Sequence, residues 1–382
     1  MRRNIIKLLK CPIDGQELEL VIFNSESFGE VKDSFLRVKN GLLLNQRLKI
    51  MYPIFSYVPI LLRFTTQLHN KFYEQFLTSL KEYGQFVYAD LPCEKGEDFI
   101  QRTFTDEWNL TQNDDLSFLR DDEDLVNLNK HVWLKWITPS TQIERLLNVG
   151  CGIGKETIGL QKATAAKEIF AFDLNLAVLE AGERYKEIAN MDFFICSLFH
   201  PPFSQHSFDL VYSQGVIHHT FSTVKAFNSI SRYVAKGKYL FIWVYALEDH
   251  LYFKNKRFDN ITYFAKYYLS RCFFASEILI RPWLSRSPGV LRDFVIFIMS
   301  VFLHPVFKSR VLHKDKWKLN NTQHGLRDQY TPMYAYRHSI NEVVEWFEDN
   351  SFEIIDFQSP KQHLEYFSGK RIHGIGLTGR YI

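Results

Sequence analysis

The sequence predicts an α/β protein built on a doubly wound, mostly parallel sheet. Three observations carry that expectation. The first is LLNVGCGIGKET at 146–157, where an apolar, strand-like run opens into Gly150, Gly152 and Gly154 and is followed by helical spacing in KETIGLQKATAA. The second is EIFAFDLN, a second apolar run that ends at Asp173. The third is a pair of further apolar runs, in HSFDLVYSQGVIHH and in KYLFIWVY (238–245). Strand and helix alternating at this spacing give parallel strands with helical crossovers.

The glycine stretch sits on a strand-to-helix turn. Glycine allows positive φ there and lets a ligand approach the backbone with no Cβ in the way. Free N–H groups at the helix start favour an anionic or polar ligand. An acidic residue at the tip of the second strand, Asp173, suits a ribose diol, because one carboxylate can accept two hydroxyl hydrogen bonds. In such a sheet the ligand belongs at the carboxyl ends of the strands. The spacing is G-x-G-x-G, with Lys155 where a dinucleotide site would have its third glycine, which argues against an oxidoreductase.

This turn resembles motif I of class I S-adenosylmethionine-dependent methyltransferases, usually written LDxGCGxG. FDLN is similar to their ribose motif. PPFSQHSFDLVYSQGVIHH is similar to the LPFxDxSFDxVxSxxVLHH segment of the type-11 branch. The resemblance runs in order through 142–245. It implies a seven-stranded, Rossmann-like sheet and S-adenosylmethionine as cofactor. It places the cofactor against Asn148, Gly150, Cys151, Gly152, Gly154, Asp173, Leu174, Ser197, Leu198 and Gln214. Two positions depart from the pattern. Asn148 stands where an acidic residue is usual, and Ser197 stands where the family has an Asp on the adenine amino group.

The N-terminal segment forms a small β-rich module, expected over 1–65. LLKCPIDGQELEL and YPIFSYVPILL (52–62) resemble a Trm112-like zinc ribbon. Such a ribbon needs four ligands. Here Cys11 remains, Asp14 stands at the second cysteine position and the second pair is missing, so no metal is expected. Residues 66–140 read as a linker and helical cap. Within them RTFTDEWNL (102–110) is similar to an element preceding motif I in bacterial members of the branch, and places Trp108 near the substrate; core packing of Phe104 and Trp108 is the plainer reading. DDEDL (121–125) reads as a solvated acidic face.

The methyltransferase-like region, 141–382, contains an insertion at about 248–325. Residues 251–320 hold 13 Lys+Arg against 4 Asp+Glu, a balance of +9 in a chain whose net charge is +3. The stretch is rich in Phe, Tyr, Trp and Leu. It reads as an extra helical layer, a lid over a lipophilic acceptor or a peripheral membrane contact; nucleic acid ranks last. The longest uncharged apolar run, Phe294 to Phe307, is 14 residues, short for a membrane span. Beyond the insertion, Ser339 and Glu342 form an S-x-x-E helix start. FEIIDF and HGIGLTGRYI read as the closing strands, a hairpin beside strand five. The loop QYTPMYAYRHS carries Tyr330, Tyr334 and Arg337 as acceptor-binding candidates.

The methyl of a sulfonium is already activated, so the protein must mainly align the acceptor and exclude water. An oxygen or nitrogen acceptor also loses a proton, for which histidine is suited at neutral pH. His218, His219 and His338 are the candidates. The expected reaction is methyl transfer to a small molecule, lipophilic or a sugar. A catalytically weak, methyltransferase-like partner subunit is the alternative. Five scattered cysteines without a CxxC pair suit a reducing compartment. The start MRRNIIKLLKCPIDG lacks the features of a signal peptide and reads as helical turns of the mature chain. Together these predict a cytoplasmic protein with membrane association as one reading of the insertion. High aromatic content, with 34 Phe, calls for a structural account.

Overall fold

A computed structural model describes residues 1–29, 35–113, 122–247, 261–310, 315, 317–358 and 374–382. Residues 248–260 of the insertion and residue 121 of the acidic stretch lie outside the described residues. The basic N-terminal run forms one short 3-10 helix, Arg3–Leu8.

The N-terminal module is a meander of β1 (Glu19–Phe28), β2 (Phe35–Asn45), β3 (Ile50–Phe55) and β4 (Val58–Leu61). Helix α1 (Gln67–Leu80) follows, capped by the Thr66 side chain, and the two-residue strand β5 (Val87–Tyr88) lies parallel to β3. At the ligand positions of the expected ribbon, the Cys11 Sγ lies 3.3 Å from the Tyr52 hydroxyl, and Asp14 accepts from Asn45 and Arg47. Sequence patterning alone does not show how the module attaches. β4 pairs in parallel with β8 (Met191–Cys196), with Ile60 opposite Ile195 and Leu61 opposite Cys196, so the module extends the main sheet. Behind this junction, Arg2 Nε stands 2.6 Å and Arg37 Nη1 3.0 Å from the carboxylate of Asp192, whose side chain is fully buried.

Helices α2 (Glu97–Asn113) and α3 (Asp122–Leu128) then lead into the central strands. These are β6 (Arg145–Val149), β7 (Glu168–Asp173), β8, β9 (Phe208–Gln214) and β10 (Val234–Tyr245), all parallel, with α4 (Lys155–Thr164), α5 (Val178–Arg184) and α6 (Thr223–Ser231) among their connections. After β10 come α7 (Ile261–Arg286), α8 (Gly289–Arg310), α9 (Leu319–Tyr330) and α10 (Ile340–Asp349). The chain closes with β11 (Phe352–Phe357) and β12 (Gly374–Tyr381), both antiparallel to their neighbours. The order β8-β7-β6-β9-β10-β12-β11 is the expected doubly wound sheet of seven strands, and the whole sheet continues through β4 to β1.

Alternation along the strands sorts the core into two layers. On β7, Phe170 and Phe172 face one side while Ile169 and Ala171 face the other. On the first side Phe170, Phe194, Phe203 and Phe208 meet edge to face, Phe203 and Phe208 at 5.3 Å and 87°. Much of the phenylalanine is thus spent on core layers. Edge-to-face pairs of this kind add about 0.5–1.5 kcal/mol each beyond area burial.

The insertion is a helical layer of its own. Leu284, Ile296, Leu326 and Tyr330 form a small buried core between α7, α8 and α9. The 14-residue uncharged run is short, but the helix around it extends through Arg292 and Asp293, and Gly289–Lys308 is long and apolar enough to cross a membrane by length and composition alone, with only 11% of that stretch buried. The capping of α10 by Ser339, which accepts from the Glu342 N–H, follows the sequence pattern.

Candidate functional site

A cavity of about 520 Å³ opens at the carboxyl ends of β6, β7, β8, β9 and β10. Its floor is the glycine turn. Gly150 and Gly152 have φ of 77° and 55°, a region that disfavours side chains. A Cβ at Gly152 would also stand 2.8 Å from the Trp108 ring. The N–H groups of Gly150 and Cys151 both donate to the Phe172 carbonyl, which holds the turn over β7.

Asp173 lines this floor. Its Oδ2 accepts from the Gly152 N–H at 2.9 Å and its Oδ1 from the Asn175 N–H at 3.0 Å. Burial pushes its carboxyl above the usual range, and these backbone donors pull it partly back. Each oxygen keeps acceptor capacity for a ligand hydroxyl. Cys151, Leu174, Leu198 and Gln214 complete the expected wall, with the Gln214 side-chain oxygen 2.6 Å from the Tyr212 hydroxyl.

Three of the sequence candidates stand off the wall. Asn148 is buried and donates to Thr157 Oγ1 at 2.9 Å, tying β6 to α4. Gly154 caps α4 with φ of 83°, where a Cβ would meet the Phe193 ring. Ser197 accepts from the Phe199 N–H at 3.1 Å and lies near the Glu97 carboxyl. Glu97 itself lines the cavity, only 5% exposed, and accepts the Glu94 N–H at 3.0 Å. Burial raises its carboxyl above the usual range. A carboxylate thus stands next to the Ser197 position, supplied by α2 rather than by the strand end.

The far wall is polar. The Nδ1 of His219 lies 2.9 Å from the Tyr334 carbonyl, which assigns its proton to Nδ1 and leaves Nε2 as acceptor. That Nε2 lies 3.8 Å from Asp328 Oδ1, while Asp328 Oδ2 accepts from the Tyr245 hydroxyl at 2.6 Å. Burial lowers the basicity of His219 and Asp328 partly restores it. The buried Glu107 carboxyl is pushed well above the usual range, first by burial and then by Asp328. His324 Nδ1 stands 3.5 Å from it. His219, Tyr245, Asp328, Glu107 and His324 all face the cavity.

The other histidines lie behind the wall. His218 is fully buried, its ring tilted against that of Tyr245 with centroids 4.1 Å apart, and neither ring nitrogen has a partner among the described residues. His338 is engaged at both nitrogens, by Glu342 and by Thr223, each at 2.9 Å. Of the acceptor candidates, Trp108 is on the wall. Tyr330 is buried with its hydroxyl 3.0 Å from Ser276 Oγ. The Tyr334 ring pairs with Tyr336, so only its carbonyl serves the site, through His219. Arg337 is fastened to Glu277 at 2.9 and 3.0 Å and lies over the Tyr245 ring. Sequence reading leaves out Glu97, Glu107 and His324. A helical wheel of α2 carries a signal for the first two, since Glu97, Phe104, Glu107 and Trp108 fall on one face.

Residues 147–242 match the family model described as a methyltransferase domain, and this segment includes the glycine turn, Asp173 and the His218–His219 turn. The chain is 27% identical over 124 residues to an uncharacterized methyltransferase of Schizosaccharomyces pombe. That match takes in 28% of this chain and spans 45% of the relative's length. Among solved structures it is similar to the magnesium protoporphyrin IX methyltransferase of Synechocystis PCC 6803 with bound S-adenosylhomocysteine, at 13% identity and a TM-score of 0.41, covering 75% of this chain and 98% of that one. It is similar also to the 1,6-didemethyltoxoflavin-N1-methyltransferase of Burkholderia thailandensis, at 13% identity and a TM-score of 0.39, covering 76% and 92%.

Proposed function

We propose that this protein is an S-adenosylmethionine-dependent methyltransferase acting on a small-molecule acceptor. The observation that carries the reading is the join between the glycine turn and Asp173, made by the Gly152 N–H on the cavity floor. The residues present fit the cofactor. The positive-φ backbone of Gly150 and Gly152 on the cavity floor suits its amino-acid end, and Asp173 suits the ribose hydroxyls. Glu97, beside Ser197, offers the carboxylate for the adenine amino group. The cavity volume lies within the roughly 300–1,000 Å³ of ordinary ligand pockets.

When bound, the cofactor supplies a methyl group on a positively charged sulfur. The chain supplies the rest. Trp108, Phe104 and Trp243 line the cavity with apolar surface that excludes water and positions the acceptor. His219 takes the acceptor's proton at Nε2, and Asp328 steadies the imidazolium that results. Low basicity keeps His219 unprotonated at neutral pH, ready to act as a base.

The N-terminal module, 1–65, we read as a Trm112-like ribbon that has exchanged metal for hydrogen bonds, since Cys11 and Asp14 are engaged by Tyr52, Asn45 and Arg47. It serves as an extension of the sheet. Residues 66–140 form the cap that brings Glu97, Glu107 and Trp108 to the cavity, and 141–382 the catalytic domain with its insertion. Incubating the chain and methyl-labelled cofactor with separated polar and lipid extracts tests the acceptor class. Label in a low-mass product supports the reading. Label on protein alone, or none despite cofactor binding, turns it towards the partner-subunit alternative.

A further inference from the structure

The outer faces of α7 and α8 are apolar and, among the described residues, uncovered. Ile278, Leu279 and Trp283 on α7 are 69%, 75% and 54% exposed, and Val290, Phe294 and Phe302 on α8 are 86%, 61% and 77% exposed. On α8 these positions continue through Phe297, Ile298 and Val301 as one stripe at helical spacing. About half of the large hydrophobic side chains exposed among the described residues belong to these two helices. An exposed apolar stripe of this length on a folded chain marks a surface meant for a partner.

The geometry points to the outer face of α7–α8 as a seat for the surface of an anionic bilayer. Charge argues for that occupant. Residues 251–320 carry a balance of +9, while the rest of the chain is net negative. The sequence from 261 to 310 contains two acidic residues, and both face arginines: Glu277 lies against Arg281 and Arg337, and Asp293 is 2.7 Å from Arg327. A second copy would bring two segments of like net charge together, whereas anionic headgroups attract a segment of this balance. Trp283 and the half-exposed Tyr268 are the side-chain types that settle at a membrane–water boundary.

These helices lie on the bilayer rather than crossing it. Arg292 reaches Asp106 of α2 at 3.4 Å, Arg327 of α9 holds Asp293 of α8, and Ile296 packs with Leu326 and Tyr330. These contacts fix the inner face of α8 to the protein body, leaving the other face to enter the headgroup region. Helix α9 joins this layer to the cavity, since it also carries His324 and Asp328. The assignment does not depend on the methyl-transfer reading.

Flotation of the full chain with vesicles tests it, using phosphatidylcholine alone and phosphatidylcholine mixed with phosphatidylglycerol. The expected result is partitioning onto the mixed vesicles about tenfold or more above the neutral ones. The double substitution Phe294→Glu, Phe302→Glu is expected to lower that partitioning by at least about tenfold with the melting temperature unchanged. Failure to float with either composition, or equal partitioning onto both, overturns the assignment. So does a doubled mass in solution that the same substitutions abolish without any flotation of the parent chain.

Discussion

His219 points its Nε2 at Asp328 across 3.8 Å, and Asp328 in turn holds the Tyr245 hydroxyl at 2.6 Å. A neutral imidazole with the Tyr334 carbonyl at Nδ1 and a carboxylate near Nε2 can take a proton at Nε2 and have the resulting charge stabilised there. The same geometry places His218 in the core and His338 between Glu342 and Thr223, so only one of the three histidines faces the cavity.

This arrangement predicts the pH profile. Burial holds the His219 pKa below its ordinary value, and Asp328 raises it part of the way back. The rate should rise with pH below the ordinary histidine value of about 6.5 and be level through neutrality. Asp328→Asn removes the raising influence, so the acid limb should move to lower pH while the plateau rate falls. His219→Gln should remove the limb and lower kcat by about a hundredfold or more. Initial rates from pH 5 to 8 measure both; an unmoved limb in Asp328→Asn speaks against the pair.

Glu97 and Ser197 make a second pair. If Glu97 supplies the carboxylate that the strand end lacks, Glu97→Gln should weaken cofactor binding by about tenfold, the worth of one hydrogen bond to a charged group. Ser197→Asp in that background should recover part of the loss. Calorimetric titration of the three proteins decides it. An unchanged affinity in Glu97→Gln, or no recovery in the double variant, would remove Glu97 from the site.

Asp192 anchors the N-terminal module to the main sheet. Burial alone would raise its carboxyl, but Arg2 and Arg37 hold it below the ordinary range. Asp192→Asn leaves two buried guanidinium groups facing an amide, and should cost about 3 kcal/mol in denaturant unfolding. Lys167→Ala, which breaks an exposed pair with Glu144, should cost under about 1 kcal/mol. The Asp192 contribution is fully present above the unfolded carboxylate value of about 4 and is lost as pH falls through the lower folded value. Equal small costs for the two substitutions would show that the module is held by its strand pairing alone.

The doubly wound sheet was legible because it depends on local pattern: apolar runs of strand length, a glycine turn and an acid at a strand tip. Gly150, Gly152 and Asp173 could be read from spacing for the same reason, since a single strand–helix–strand unit, β6-α4-β7, builds that corner. The union of β4 with β8 was not legible, because it joins residues such as Ile60 and Ile195 through register alone. Nor was the division of labour among the histidines. His218 and His219 are adjacent and chemically identical, and only the path of Tyr334 and Asp328 through the fold separates them. The exposure of α8 was hidden by Arg292 and Asp293, charges that interrupt the apolar run yet are satisfied on the inner side by Asp106 and Arg327.

The most direct test of the central claim is a calorimetric titration of the full chain with S-adenosylmethionine, alongside Asp173→Ala and a titration with NADH. The account predicts binding in the micromolar range, weakened about a hundredfold by the substitution through loss of two carboxylate hydrogen bonds, and no binding of NADH. No binding of S-adenosylmethionine by the parent chain, or an affinity indifferent to Asp173, would contradict it.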